Sequence, residues 1–247
     1  MTRCVNLEVD INNIVMRLNN EELYQFLVEK EILALYHANT VRTSITYFEN
    51  GGLMSRGLVE ENDLIQTSQS SDAADKVLNV WDDIFIDTSD LHTYFRRENH
   101  YGPILFELDR ELVRNNDFEI WITKNNPIYW PVDSTNEERY FMSVEELRQQ
   151  WDSIERQRKM ITIRNNNHPI LFDYVRRIIV DDPRVVITES DNTQTILFNK
   201  AREKINDIIT EDHQLKGKFT LRTCNNCWCT SNYLHQRSSD DLKRLFL

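Results

Sequence analysis

The chain has 247 residues, 40% hydrophobic and 10% aromatic, which is enough apolar side chain for a packed core and too much for a low-complexity protein. Its formal net charge of −11 excludes a broad phosphate-tracking surface, though not a small basic site on an acidic body. Four cysteines are too few for a disulfide scaffold, and the longest apolar runs, such as Pro103-Ile104-Leu105-Phe106, fall far short of the roughly 20 residues that span a bilayer. The first ten residues lack the basic-then-apolar order of a secretion signal, so a cytoplasmic protein without a membrane segment is expected.

Along the chain, Leu23, Phe26, Leu27, Ile32 and Leu33 recur at near-helical spacing and predict an amphipathic helix over about Asn20–Ala34. Leu35-Tyr36-His37 then reads as a short strand. Thr43–Asn50 reads as a helix stopped by Gly51-Gly52. The stretch Glu60–Asp75 is rich in Gln, Ser, Asp and Glu and reads as a mobile loop. Asp83–Asp87 is a strand, and Ser89–Arg97 a helix capped by Ser89 or Thr88. Strands follow at Pro103–Leu108 and Phe118–Thr123, and a helix at Ser143–Arg156 opens on Ser143-Val144-Glu145-Glu146. Met160–Ile163 and Arg177–Val180 are strands, Thr195–Ile209 a helix, and Lys218–Thr223 a closing strand. No repeat or linker divides the chain. The fold class expected is α+β, one core with a mostly antiparallel sheet. The chain is expected to be a single domain over 1–247, with an N-terminal helical extension to about residue 34 and a Cys-rich tail over about 224–247.

Basic residues cluster at Arg156, Arg158, Lys159 and Arg164, ahead of and along the Met160 strand, while Arg96-Arg97 and Arg176-Arg177 read as solvated faces. In the tail, Cys224, Cys227 and Cys229 have one Cys-x-x-Cys spacing and no second. His235 or Cys4 would have to complete a zinc set, so no metal is assigned, and the thiols are read as packing around Trp228. Trp228 and Tyr233, with Arg222 and Arg237, are an alternative surface for stacking on bases.

The order of segments from Leu35-Tyr36-His37 through Gly52-Leu53 to Ile84-Phe85-Ile86-Asp87, Ser89 and Tyr94 resembles the NAD-binding half of ADP-ribosyltransferases. In the poly(ADP-ribose) polymerases a Leu-Trp-His strand precedes a helix ending in Gly-Leu, and an Ile-Tyr-Phe-Ala-Asp strand runs into a helix with a Ser and a later Tyr. Further along, Tyr101–Leu108, Ile120-Trp121-Ile122-Thr123, Arg139-Tyr140-Phe141 with Val144-Glu145-Glu146-Leu147, and Phe219-Thr220-Leu221-Arg222 are similar to the DarT-type nucleic-acid ADP-ribosyltransferases. The likeness spans about residues 33–223. It implies the split, mostly antiparallel sheet of that superfamily and NAD as a substrate. The NAD site would be lined by Tyr36, His37, Ala38, Thr40, Arg56, Ser89 and Tyr94. His37 and Thr40 would face the ribose, and Tyr94 would stack on nicotinamide. It also implies an acceptor base in RNA or DNA, and a toxin–antitoxin or phage-defence setting with an antitoxin or inhibitor protein as partner.

The family's catalytic glutamate, at the start of the strand here beginning Met160-Ile161, has no counterpart in register. Three readings stand: Glu155 reaches in from the preceding helix end, Arg164 with a polar neighbour serves instead, or the protein binds NAD without transferring ADP-ribose. An acceptor on a protein side chain is the alternative that the acidic charge favours.

Overall fold

The structure, a computed structural model, describes residues 18–155 and 158–247. The elements run α1 (Asn20–Glu29), β1 (Ala34–Asn39), α2 (Val41–Glu49), β2 (Gly52–Leu53), α3 (Arg56–Glu61), α4 (Asp72–Val77), β3 (Ile84–Asp87), α5 (Leu91–Phe95), β4 (Ile104–Asp109) and β5 (Glu119–Ile122). They continue α6 (Asn136–Arg139), α7 (Val144–Gln150), β6 (Met160–Arg164), β7 (Ile170–Leu171), β8 (Val175–Asp182), β9 (Val186–Thr188), β10 (Gln194–Ile196), α8 (Leu197–Ile208), β11 (Phe219–Thr223), α9 (Cys229–Gln236) and α10 (Ser239–Phe246).

Seven strands form the central sheet in the order β11-β8-β4-β1-β3-β6-β5. Only the β11–β8 pair is parallel; every other neighbour is antiparallel. The alternation of side chains along each strand decides which face is buried. Leu35, Ile86, Phe106, Ile122, Ile161 and Ile178 all enter one hydrophobic cluster. The intervening residues Tyr36, Asp87, Glu107, Thr162 and Arg177 point to the other face. Trp121, Tyr140 and Trp130 form a second, smaller cluster with Leu78 and Val80.

Several boundaries differ from the expectation for local reasons. The first helix stops at Glu29, because Glu31 turns the chain at φ 54° and leaves Leu33 65% exposed. Asn19 caps it, its side chain accepting from the Glu22 N–H. The helix after β3 begins at Leu91 and is capped by Asp90, which accepts from the N–H groups of His92 and Thr93, rather than by Ser89 or Thr88. The expected loop over 60–75 holds the end of α3 and the start of α4, and it is pinned where Arg56 donates to the Thr67 carbonyl and to Asp72. The helix opened by Ser143 is shorter than expected. Its Glu146 carboxylate accepts from the Met142 N–H, one residue before the cap.

At the end of β1 the chain is gripped closely. Gly102 has φ +134°, and a Cβ there would lie 2.3 Å from the Asn39 carbonyl oxygen, so only glycine lets the start of β4 approach the β1–α2 corner. The C-terminal segment is integral to the fold: Tyr233 of α9 and Leu242, Leu245 and Phe246 of α10 belong to the same cluster as Leu35. Among the described residues no helix is long and apolar enough to cross a membrane.

The α1 helix belongs to the core as well. Phe26 is fully buried, its ring edge-on to Trp151 at 5.1 Å. Phe26→Ala is expected to cost about 3–5 kcal/mol, as for other large-to-small aromatic truncations, read as a lowered urea midpoint at unchanged m-value. A shift below 1 kcal/mol would mean that α1 is peripheral.

Candidate functional site

The central sheet is uneven at β1. Against β4 it pairs at six successive positions, from Ala34↔Asp109 to Asn39↔Ile104. Against β3 its register is a single pair, Tyr36↔Asp87. Past that pair the strands part, and a side chain takes the place of the ladder: His37 Nδ1 lies 2.9 Å from the Phe85 carbonyl oxygen. A carbonyl only accepts, so Nδ1 carries the proton and Nε2 is the acceptor. That Nε2 is closed off from solvent and, among the described residues, has no hydrogen-bond partner, although the residue as a whole is only half-buried. Burial pushes the imidazole pKa below its ordinary value, ahead of the opposing hydrogen bond to Phe85, so the ring is neutral at pH 7. Tyr47 and Phe106 wall the ring at centroid distances of 6.4 and 6.5 Å. A buried acceptor left unmatched costs about 1–3 kcal/mol, which an incoming hydroxyl donor would recover.

On the opposite face, Tyr36, Asp87 and Met160 stand abreast, because Asp87 pairs in register with both Tyr36 on β1 and Met160 on β6. Paired residues point the same way, with Cα atoms roughly 4.5–5.5 Å apart. A glutamate was sought at Met160 or Ile161; Met160 takes this face, and the carboxylate beside it is that of Asp87 on the adjacent strand. Burial, and then the neighbouring Asp90, push the Asp87 carboxyl up to about 7. Among the described residues no cation pairs with it. Two residues along β6 on the same face, the Thr162 hydroxyl is also buried without a partner. The Tyr36 phenol is pushed up by burial first and by the charges of Glu107 and Asp90 after it.

The remaining sequence candidates are distributed as follows. Ala38 is half-buried beside His37, and Ser89 is half-buried in the link from β3 to α5. Tyr94, on α5, is 60% exposed with its ring edge-on to Phe95 at 4.8 Å. Thr40 is fully buried; it caps α2, and its hydroxyl meets those of Thr43 and Thr67. Arg56 stacks on Trp81 at 5.1 Å in addition to its bonds to Thr67 and Asp72. Arg164 is committed elsewhere, with Nε 3.1 Å from Asp83 Oδ2 and its guanidinium over the rings of Tyr140 and Trp121. Burial raises the Asp83 carboxyl to about 6 against the pull of Arg164. Glu155 is exposed and pairs with Arg158 at 3.3 Å. Arg156 lies outside the described residues. Sequence reasoning quoted Asp87 but gave it no role; its signal is the pairing with Met160, which exists only once the sheet is assembled.

Two cavities lie away from His37. One, of about 180 Å³, is lined by Leu58, Glu61, Asp82 and Asn165–Asn167. The other, of about 540 Å³, lies between α2 and the C-terminus, beside Arg42, Glu49, Lys204 and Leu247.

The tail differs from its expected reading. Trp228 is 75% exposed, so the cysteines do not pack around it, and Tyr233 is fully buried, bonded through its hydroxyl to Asn99. Arg222 is taken up by Asp181 and Asp90, and Arg237 by Glu98. The expected base-stacking group is thus reduced to Trp228. His235 is exposed on α9, and Cys4 lies outside the described residues.

No family model and no curated protein matches the chain. Among solved structures, the DarT of Thermus sp. 2.9 in complex with ADP-ribosylated ssDNA is similar at a TM-score of 0.47 and 12% identity, over 78% of this chain and 94% of that one. The same organism's DarT in complex with NAD+ is similar at 0.43 and 12%, over the same shares. The functional reading therefore rests on the residues of the site.

The raised Asp87 carboxyl has a stability consequence. Between 3.8 and about 7 the folded carboxyl keeps a proton that the unfolded one has given up. The native state therefore binds more protons than the unfolded state in that window, and this group's contribution falls as pH rises through it. Asp87→Asn removes that dependence, so its stability relative to the parent should increase with pH from 4 to 8, as followed by urea unfolding. A difference that is flat with pH would show an ordinary carboxyl.

Proposed function

We propose that the chain is an NAD-dependent ADP-ribosyltransferase that modifies a nucleic-acid base, in DNA or RNA, as the toxin of a toxin–antitoxin or phage-defence pair restrained by an inhibitor protein. The observation that carries the reading is His37 Nε2, a buried, unmatched acceptor of fixed tautomer beside the break in the β1–β3 pairing. A ribose hydroxyl of the adenosine is a donor of the right kind for it. The edge of β1 past Tyr36 offers main-chain groups to the carboxamide, and Tyr94 an aromatic face to the nicotinamide ring. Held at both ends, NAD is bent at the bond to be broken.

In the reaction, the bond between the nicotinamide nitrogen and ribose C1′ breaks, and its electron pair leaves with nicotinamide. The positive charge that develops on the ribose is opposed by the Asp87 carboxylate. A nucleophilic atom of the acceptor base bonds to C1′ and gives up its proton. Asp87, titrating near 7, is matched to take it at neutral pH. Arg164 and Glu155, engaged with Asp83 and Arg158, shape the strand and its approach in this scheme.

Incubation with NAD labelled in the adenylate phosphate, followed by separation of DNA, RNA and protein, tests the acceptor; NAD+ and single-stranded DNA, the ligands of the two DarT structures, are the first pair to try. Label is expected in nucleic acid, and label in protein alone would move the acceptor to a side chain. Asp87→Asn should lower nicotinamide release by about 10²–10⁴-fold, the usual worth of a positioned acid–base group, with a smaller change in KM. His37→Ala should raise the Kd for NAD. Full nicotinamide release by both variants would remove the assignment. Bound NAD without any release in the parent would leave a non-catalytic nucleotide-binding module.

A further inference from the structure

Outside the split in the sheet, among the described residues, one cluster of potential metal ligands has no assigned role. His92, Cys224, Cys227 and Cys229 bring their ligand atoms within 4.8 Å of one another. His92 comes from α5, Cys224 and Cys227 from the link between β11 and α9, and Cys229 from the first position of α9, with 132 residues separating the His92–Cys224 contact. His92 and Cys229 are buried, and Cys224 and Cys227 half-buried. All three thiols are free.

We propose that these four residues bind one zinc ion in a closed, structural Cys3His site. The donor set is the one zinc takes in such sites: three thiolates and an imidazole, with no open position. A tetrahedron with Zn–S near 2.3 Å and Zn–N near 2.0 Å places sulfur and nitrogen roughly 3.5 Å apart. His92 Nε2 lies 3.6 Å from Cys224 Sγ. Within Cys224-Asn225-Asn226-Cys227 the chain turns at Asn226, whose φ is +56°, and the two sulfurs lie within 4.8 Å of each other.

Cys227 Sγ and Cys229 Sγ stand 2.8 Å apart, closer than a tetrahedral edge, so an ion would part these two sulfurs. The surroundings also suit an ion. The other imidazole nitrogen, Nδ1, is buried without a hydrogen bond and lies 3.6 Å from Asp181 Oδ2. Asp181 is 1% exposed and is held in turn by Arg222. Metal-bound histidines are oriented in this way, Nδ1–H toward a carboxylate and Nε2 toward the ion.

The ion would do what α5 cannot do alone. That helix has five residues and one buried side chain, His92. A helix so short has little stability of its own. Ligation through His92 would clamp α5, which carries Tyr94 and follows the Asp87–Asp90 loop, onto the C-terminal segment. Closing a long loop in this way removes much entropy from the unfolded chain.

The proposal is independent of NAD chemistry, and its test reads metal, not turnover. The full chain, purified without chelator or metal-binding tag and with reductant present, should contain one zinc per chain by elemental analysis. Replacement by Co2+ should give the visible bands of a tetrahedral site with thiolate charge transfer. His92→Cys should keep the metal, with a shifted Co2+ spectrum, whereas His92→Ala should lose zinc to a competing chelator at least 10-fold more readily. Sub-stoichiometric zinc with no Co2+ spectrum would overturn the proposal. So would a Cys227–Cys229 disulfide found by mass analysis of the freshly purified protein, or a His92→Ala variant that holds zinc as tightly as its parent.

Discussion

The structure turns on one interruption of β-pairing. Antiparallel strands of this length normally share a ladder along most of their residues, as β1 does with β4. Between β1 and β3 the register is one pair, and His37 Nδ1 bonding to the Phe85 carbonyl bridges the gap that follows. The consequences are chemical. The bond to a carbonyl fixes the imidazole tautomer, burial beside Tyr47 and Phe106 keeps the ring neutral, and the other nitrogen is left, among the described residues, a buried acceptor without a donor. A continuous ladder would have satisfied the strand edges and left no site.

The acidic character of the chain has a structured side. Three carboxylates that the sheet buries are matched by arginines from neighbouring strands: Asp83 with Arg164, Glu107 with Arg177, and Asp181 with Arg222. Each pair avoids the large cost of an isolated buried charge. Asp87 breaks the pattern. It is half-buried, and among the described residues no cation pairs with it, so burial and then the charge of Asp90 hold its proton to near neutrality. A perturbed carboxyl beside a parted sheet is the kind of group that functional sites keep and structural networks neutralise. Arg164 illustrates the converse: conspicuous in the sequence, it belongs to the neutralising network.

Elements near both ends of the described residues join the core. Phe26 of α1 and Tyr233, Leu245 and Phe246 of α9 and α10 share the cluster that backs β1. The C-terminal segment also reaches α5 twice, through Arg222 on Asp90 and through the cysteines around His92. The short helix beside the site is thereby held from outside rather than by its own packing.

The amino-acid sequence by itself determined the elements whose signals are local. Short apolar runs marked the strands around Ile84, Ile104, Ile161 and Ile178, near-helical spacing marked α1, and the Ser143-Val144-Glu145-Glu146 start marked α7, because each of these signals lies within a few residues of chain. It also marked His37, through the order of segments around it. Boundaries set by a single backbone turn, such as Glu31, and the cap choice of Asp90 over Ser89 were less legible, since several residue types compete for those roles. What only the tertiary structure decided depends on residues far apart in the chain. The pairing of Asp87 with Met160 moves a carboxylate one strand from where it was sought. The approach of His92 to Cys224 across 132 residues supplies a fourth donor where His235 and Cys4 were the sequence candidates. Spacing along a chain limits only ligands that are neighbours in it; strand order chooses the rest.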